Sequence, residues 1–391
     1  MVAAELVCPG RGTRETERDS EVHVASSIRA GRSAVRERVR GSTWIATVAA
    51  AAVLAAVSAT MAAGPAAAAG DPVVDSGAPL AHPVSADGSK IVDFSVVDGR
   101  NVTFKVYSAA MDKPITINVQ RPADASTPRP VLYLLNGAGG GEDSATWDNK
   151  APDALKFLAD KDVNVVQPVG GAWSYYTDWR APDPKLGVNK WRTFFTEELP
   201  PIIDGALGTN GLNAIAGLST SGTSVLQLPI AKPGLYKSVA AYSGCAQISD
   251  PVGYTAVNLA VNVWGGGNTV NMYGPQNDPM WAANDPYVHA DQLRGLNLFI
   301  SSGSGLPGQW DTLNGPYTLP GPGGLANQVI IGGVIEAAVN YCSHNLQAKL
   351  NGLGIPATYD FTPTGTHSWG YWHDALIQSW PVLAAGLQLP A

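Results

Sequence analysis

The stretch NAIAGLSTSGTSVLQL (residues 213–228) constrains the fold of this chain more than any other. A short apolar run reaches Gly217-Leu218-Ser219-Thr220-Ser221-Gly222 and passes into a helical pattern with no loop between them. A strand that becomes a helix this abruptly needs small residues at the turn, and the strained turn lifts a serine hydroxyl above the sheet edge. The usual spacing G-x-S-x-G is here G-x-S-x-S, with glycine one place later. Ser219 is therefore a candidate nucleophile, against the plainer reading of a serine that caps a helix. Ser221 is the runner-up hydroxyl, but it lies too far into the helix.

The flanking sequence supplies a sheet for that turn. IVDFSVV (91–97), VTFKVYS (102–108) and ITINVQR (115–121) alternate apolar and polar residues, and the Asp98-Gly99 pair favours a hairpin, so antiparallel strands are expected. PVLYLLN (130–136) and VNVVQPV (163–169) are continuously apolar, as strands covered on both faces should be, with a crossover helix at 153–160. Further strands are expected at 213–218, 238–243, 296–302 and 357–361. Helices are expected at 190–206, 221–232, 326–351 and 371–387. The alternation implies an α/β fold: a mostly parallel central sheet with antiparallel N-terminal strands and helices on both faces. Ligands then belong at the carboxyl ends of the strands.

The first 70 residues follow other rules. Eight arginines and six acidic residues fall within 1–43, and 44–70 carry no charge. The run WIATVAAAAVLAAVSATMAA (44–63), followed by small residues to Ala69, reads as a secretory signal region over 1–70 with cleavage near Ala69; an uncleaved membrane anchor is the rival. The remaining 71–391 form one domain, opening on a turn-rich lead-in at 71–90. Removing eight basic and six acidic residues takes the formal charge from -7 to -9, which disfavours nucleic acid as a partner. Charged residues make up 15% of the chain against 45% hydrophobic, so disorder is excluded. Cys245 and Cys342 remain as a disulfide candidate in an exported domain.

A serine nucleophile needs a base, an orienting acid and an oxyanion hole. With chain order Ser, acid, His, the histidines available are His289, His344, His367 and His373. His367 is preferred, because TPTGTHSW is a loop directly after a strand, whereas His373 falls on the next helix. For the acid, Asp311 follows a late strand and Glu336 interrupts an apolar run; spacing alone leaves both open. The amide of Thr220 and one from the loop Asn136-Gly137-Ala138-Gly139-Gly140-Gly141 could face an oxyanion. No phosphate-binding ending and no metal cluster is visible, and no cofactor is expected.

LYLLNGAGGGEDSATWDNKAP, VNVVQPVGGAWSYYTDW, KWRTFFTEELP, AIAGLSTSGTS, MYGPQNDPMWAANDP and PTGTHSWGYW together resemble, in order, the mycolyltransferases of the antigen 85 type, over residues 131–372. The resemblance implies a secreted esterase of α/β-hydrolase fold, acting at the cell envelope of mycolic-acid-bearing actinobacteria. It implies transfer of mycoloyl groups through an acyl-serine, from trehalose monomycolate to a second such molecule or to arabinogalactan. Mapped residue by residue, it implies Ser219 as nucleophile, His367 as base, Glu336 as acid, and Ala138 and Thr220 as oxyanion amides. Asn136 and Trp369 fall on substrate-binding positions. The family commonly has Asp and Arg where this chain has Asn136 and Gly139, which puts trehalose recognition in question. A Cys245–Cys342 disulfide would pin the acid-bearing helix near the site. The partners implied are a mycolic-acid glycolipid and a carbohydrate acceptor. Two rival functions stand beside this one, a secreted carboxylesterase and a non-catalytic cell-wall binding protein.

Overall fold

The computed structural model describes residues 81–391, so the expected signal region at 1–70 lies outside the described residues. Among the described residues nine strands form one sheet: β1 (Lys90–Val96), β2 (Asn101–Ser108), β3 (Lys113–Gln120), β4 (Val131–Leu135), β5 (Asn164–Val169), β6 (Asn213–Leu218), β7 (Tyr236–Tyr242), β8 (Asn297–Ser302) and β9 (Thr358–Phe361). Their spatial order is β1-β2-β3-β5-β4-β6-β7-β8-β9. Pairings from β1 through β3 to β5 are antiparallel, and every pairing from β5 to β9 is parallel. This is the expected α/β-hydrolase-like arrangement.

The burial pattern explains the two kinds of strand. β2 buries every second residue, as a strand packed on one face must. In β4 all five residues are buried, and they alternate between two cores: Val131, Tyr133 and Leu135 on one face, Leu132 and Leu134 on the other. Helices cover those faces. α1 (Pro152–Ala159) contributes Leu158 to the second core. α2 (Leu199–Leu207) gives Leu199, Ile202 and Ile203 to the first, and α3 (Thr220–Ala231) adds Val225 and Leu228. α4 (Pro251–Asn258) stands apart over a third cluster that includes Val257, Tyr273 and Trp281. α5 (Gly333–Gly352) returns to the first core through Leu346 and Leu350, and α6 (Trp369–Leu387) closes the second with Trp372, Leu376, Trp380 and Leu383. Each such buried side chain contributes about 1.5–3 kcal/mol relative to exposure.

Three helical features depart from expectation. The helix expected at 326–351 begins earlier, since α5 ends a 32-residue helical run, Gly321–Gly352, with a π-helical stretch at Gln328–Gly332. The helix expected at 190–206 contains a π-helical stretch at Phe194–Glu198, where buried Phe194 and Phe195 are drawn toward Trp191 and Tyr176. Residues 251–264, without a clear apolar period, form α4 and a π-helical continuation, started by Asp250 accepting from the Val252 and Gly253 amides.

The chain leaves β4 toward β5 on one side, then places β6 on the other. The strand order therefore reverses between β4 and β6, the switch point at which the ends of adjacent strands leave a crevice.

Candidate active site

Ser219 stands at the carboxyl end of β6 with φ 58° and ψ -124°, a conformation that costs a non-glycine residue of order 1–3 kcal/mol. Neighbouring contacts hold it there. Its amide donates to the Tyr242 carbonyl at 2.9 Å, and the Ser221 hydroxyl bridges the turn by accepting from the Leu218 amide and donating to the Leu218 carbonyl, both at 2.9 Å. Ser221 is fully buried, so the runner-up hydroxyl fastens the turn and faces no cleft. The displaced glycine is explained as well. A Cβ at Gly222 would lie 2.8 Å from the Tyr242 carbonyl and 2.9 Å from the Gly244 Cα, so α3 can start this close to β7 only with glycine at 222. Ser219 makes no side-chain capping bond to α3, against the plainer reading of a helix cap.

The Ser219 hydroxyl lies 2.8 Å from His367 Nε2, and His367 Nδ1 lies 2.6 Å from Glu336 Oε2. His367 occupies the loop between β9 and α6, tied down by its amide donating to the Gly332 carbonyl. Glu336 sits on the first turn of α5 with 1% exposure, and its second oxygen accepts from the Ser243 hydroxyl and the Gly303 amide, each at 2.8 Å. A buried carboxylate needs such donors. The rival acid Asp311 is used elsewhere: it accepts from Thr366, Tyr371, Gln328 and the Gly308 amide, bracing the loop that leads to His367. The remaining histidines are equally occupied, His289 on the Ala282 carbonyl, His344 on the Asn340 carbonyl and His373 on Asp374.

Ala138 and Thr220 line the same cleft as Ser219 and His367. Neither amide is spent on a backbone carbonyl among the described residues, so both remain able to donate to a ligand. The glycine loop before β5 is held against the segment after it: a Cβ at Gly140, where φ is 62°, would meet the Gly170 carbonyl at 2.4 Å. The two expected substrate-binding residues lie outside the apolar cleft. Asn136 is 1% exposed with its amide donating to the Pro168 carbonyl, and Trp369 packs edge-on between Trp147 and Trp372; neither lines the cleft. Asn136 is buried, whereas Trp369 is partly buried against the second core. Gly139 lies against the carboxylate of Asp143, which occupies the space its Cβ would enter.

The cleft itself measures about 340 Å³ and is overwhelmingly apolar. Helix α4 with its continuation supplies Val257, Ala260 and Trp264 to one wall, and α5 supplies Val334, Ala338 and Val339 to the other. The first wall is not among the residues expected from the sequence, although the absence of any charge from 251 to 277 is a visible signal of it. Cys245 and Cys342 are disulfide-bonded, Cα atoms 5.1 Å apart; both line the cleft, and the bond ties α5 to the segment that follows β7.

Such an arrangement can activate a serine hydroxyl and hold an apolar acyl chain next to it. The Esterase family signature matches residues 108–383. The chain is 32% identical to diacylglycerol acyltransferase/mycolyltransferase Ag85B of Mycobacterium avium, over 68% of this chain and 78% of that protein. It is also 32% identical to the Ag85A protein of Mycobacterium leprae, over 71% and 81%. Among solved structures, Mycobacterium tuberculosis MPT51 superposes with a TM-score of 0.59 at 24% identity, covering 72% of this chain and 97% of that one. An S-formylglutathione hydrolase from Agrobacterium tumefaciens superposes at 0.55 with 17% identity, covering 76% and 99%; these two share the fold. The chain is an enzyme of the esterase family and belongs with its antigen 85-type acyltransferases.

Proposed function

We propose that the protein is an exported serine acyltransferase whose catalytic domain spans 71–391 and whose residues 1–70 direct secretion to the cell envelope. The observation that carries the mechanism is the hydrogen-bonded series Ser219, His367, Glu336 opening into an apolar cleft. His367 Nε2 takes the proton from Ser219 Oγ as that oxygen attacks the ester carbonyl of the donor. Glu336 holds the imidazole with Nδ1 protonated and stabilises the imidazolium that forms. The Ala138 and Thr220 amides receive the oxyanion, and collapse expels the donor's alcohol, protonated by His367. A hydroxyl of the acceptor then attacks the acyl-serine with His367 again as base, regenerating Ser219.

The apolar cleft supports a long acyl donor, and the relatives' description as mycolyltransferases supports a mycolic-acid glycolipid with a carbohydrate hydroxyl as acceptor. Trehalose monomycolate and arabinogalactan are the substrates this reading assigns. A second reading, hydrolysis with water as acceptor, draws on Asn136 and Gly139, which leave the acceptor side without the charged pair common in the family. Incubating the purified protein with trehalose monomycolate and, separately, with a short aryl ester distinguishes the readings. Dimycolate formation supports transfer, free mycolic acid alone supports hydrolysis, and inertness toward both supports a binding protein. Ser219→Ala is expected to abolish turnover with the fold intact; a variant that keeps full activity removes Ser219 from the mechanism.

A further inference from the structure

We infer that Trp372 is a positioning residue for the reaction, acting through Ser243 to fix the direction of every hydrogen bond from the acid to the nucleophile. The inference rests on the catalytic reading above. Trp372 is 6% exposed on the first turn of α6 and is not among the side chains that line the cleft. Its indole Nε1 donates to Ser243 Oγ at 3.0 Å, and its ring meets the His367 ring edge-on, centroids 4.9 Å apart and planes at 86°.

An indole N–H can only donate. Its proton therefore occupies a lone pair of Ser243 Oγ, and the single Ser243 proton is directed to Glu336 Oε1, 2.8 Å away. That oxygen receives a second donor, the Gly303 amide, at 2.8 Å. Two donors on Oε1 hold it as an acceptor, and Oε2 is left facing His367 Nδ1 alone, at 2.6 Å. His367 then carries its proton on Nδ1 and presents the lone pair of Nε2 to the Ser219 hydroxyl at 2.8 Å. One obligate donor thus sets the tautomer three residues away, while the same ring limits tilt of the imidazole.

Ser243 is placed for this task by its backbone. It follows β7 at φ 49°, in the left-handed region, and its amide donates to the Ser301 carbonyl. The next residue, Gly244, packs directly on Gly222 of the nucleophile turn, with 2.3 Å between its hypothetical Cβ and the Gly222 carbonyl carbon. Serine and acid are therefore referenced to one rigid corner.

The test compares Trp372→Phe, Ser243→Ala and the double variant with the wild-type protein on a short aryl ester. Every rate is normalised to the sites titrated by a fluorophosphonate, so that misfolded molecules do not count. Trp372→Phe keeps the ring and loses the donor; a fall in kcat of about fivefold with KM within twofold is expected. For Ser243→Ala the expected fall is about tenfold. The acid limb of the kcat/KM profile moves to higher pH, because a carboxylate with one donor fewer holds the imidazolium more tightly. The double variant matches Ser243→Ala and does not multiply the two effects. Unchanged per-site kcat and acid limb in both single variants, or multiplicative effects in the double, overturns the inference. A wild-type protein that neither reacts with the fluorophosphonate nor turns over overturns the serine reading itself, and this inference with it; normal wild-type turnover with indifferent variants overturns only the role of Trp372.

Discussion

Glu336 shows how closely a single position is specified. Both its oxygens act as acceptors, Oε1 toward Ser243 and Gly303 and Oε2 toward His367. In Glu336→Gln the two donors would keep the amide oxygen, turning the NH2 group toward His367 Nδ1 and forcing the opposite tautomer. On the proposed assignment kcat falls on the order of 10⁴-fold with KM little changed, measured by steady-state kinetics on an aryl ester. Ser221→Ala removes two buried bonds to Leu218 and is expected to lower stability by about 1–3 kcal/mol in urea unfolding. Glu198 is a different case. It lies fully buried, accepting from Ser108 and the Ala110 amide, and burial, followed by its contact with Asp87, holds its carboxyl above the ordinary value of 4.5. Ionisation is then harder in the folded than in the unfolded protein, so stability declines as pH rises from about 4.5 through the folded pKa and levels off beyond it. Melting temperature measured against pH should show that decline in the wild-type protein and a flatter curve in Glu198→Gln.

At the scale of elements, the two walls of the cleft are held unequally. The helical run Gly321–Gly352 buries Val339, Leu346 and Leu350 in its C-terminal half, whereas Ile330, Ile331 and Val334 toward its start are exposed. Glu336 lies at the boundary, and the Cys245–Cys342 disulfide fastens the helix just beyond it, closing a separation of 97 residues. Cys342→Ala is expected to cost about 2–5 kcal/mol by denaturant unfolding, with reducing agent lowering the wild type to the same midpoint. The exposed start of the helix faces the cleft mouth through Val334. A charge there would oppose an entering acyl chain but not a short one. Val334→Asp should raise KM for a long-chain aryl ester about tenfold and leave the acetate ester unchanged, and equal effects on both would remove the cleft from acyl binding.

For the whole molecule, the reach of the sequence follows from whether a property is local. The strands at 130–136, 163–169 and 213–218 were legible because burial on both faces demands unbroken apolar runs, and the reversal of strand order brings the ends of β4 and β6 together. Ser219 was legible because a strand that turns directly into a helix leaves a local imprint of small residues. His367 was readable from its loop, since a short Gly/Thr segment after a strand overhangs the sheet. Glu336 was not separable from Asp311 by spacing; the resemblance favoured it, and only the fold shows Asp311 occupied by Thr366 and Tyr371. Asn136 and Trp369 map onto substrate positions through the resemblance; the fold buries Asn136 and packs Trp369 against Trp147 and Trp372. The sequence by itself thus determined the sheet, the strand-to-helix turn that carries Ser219 and the family, because these are written in contiguous residues and their spacing. Tertiary structure alone decided which carboxylate meets the histidine, which aromatic backs it and which helices wall the cleft. Those depend on contacts between segments tens to more than a hundred residues apart, whose burial and hydrogen-bond geometry exist only once the chain has folded.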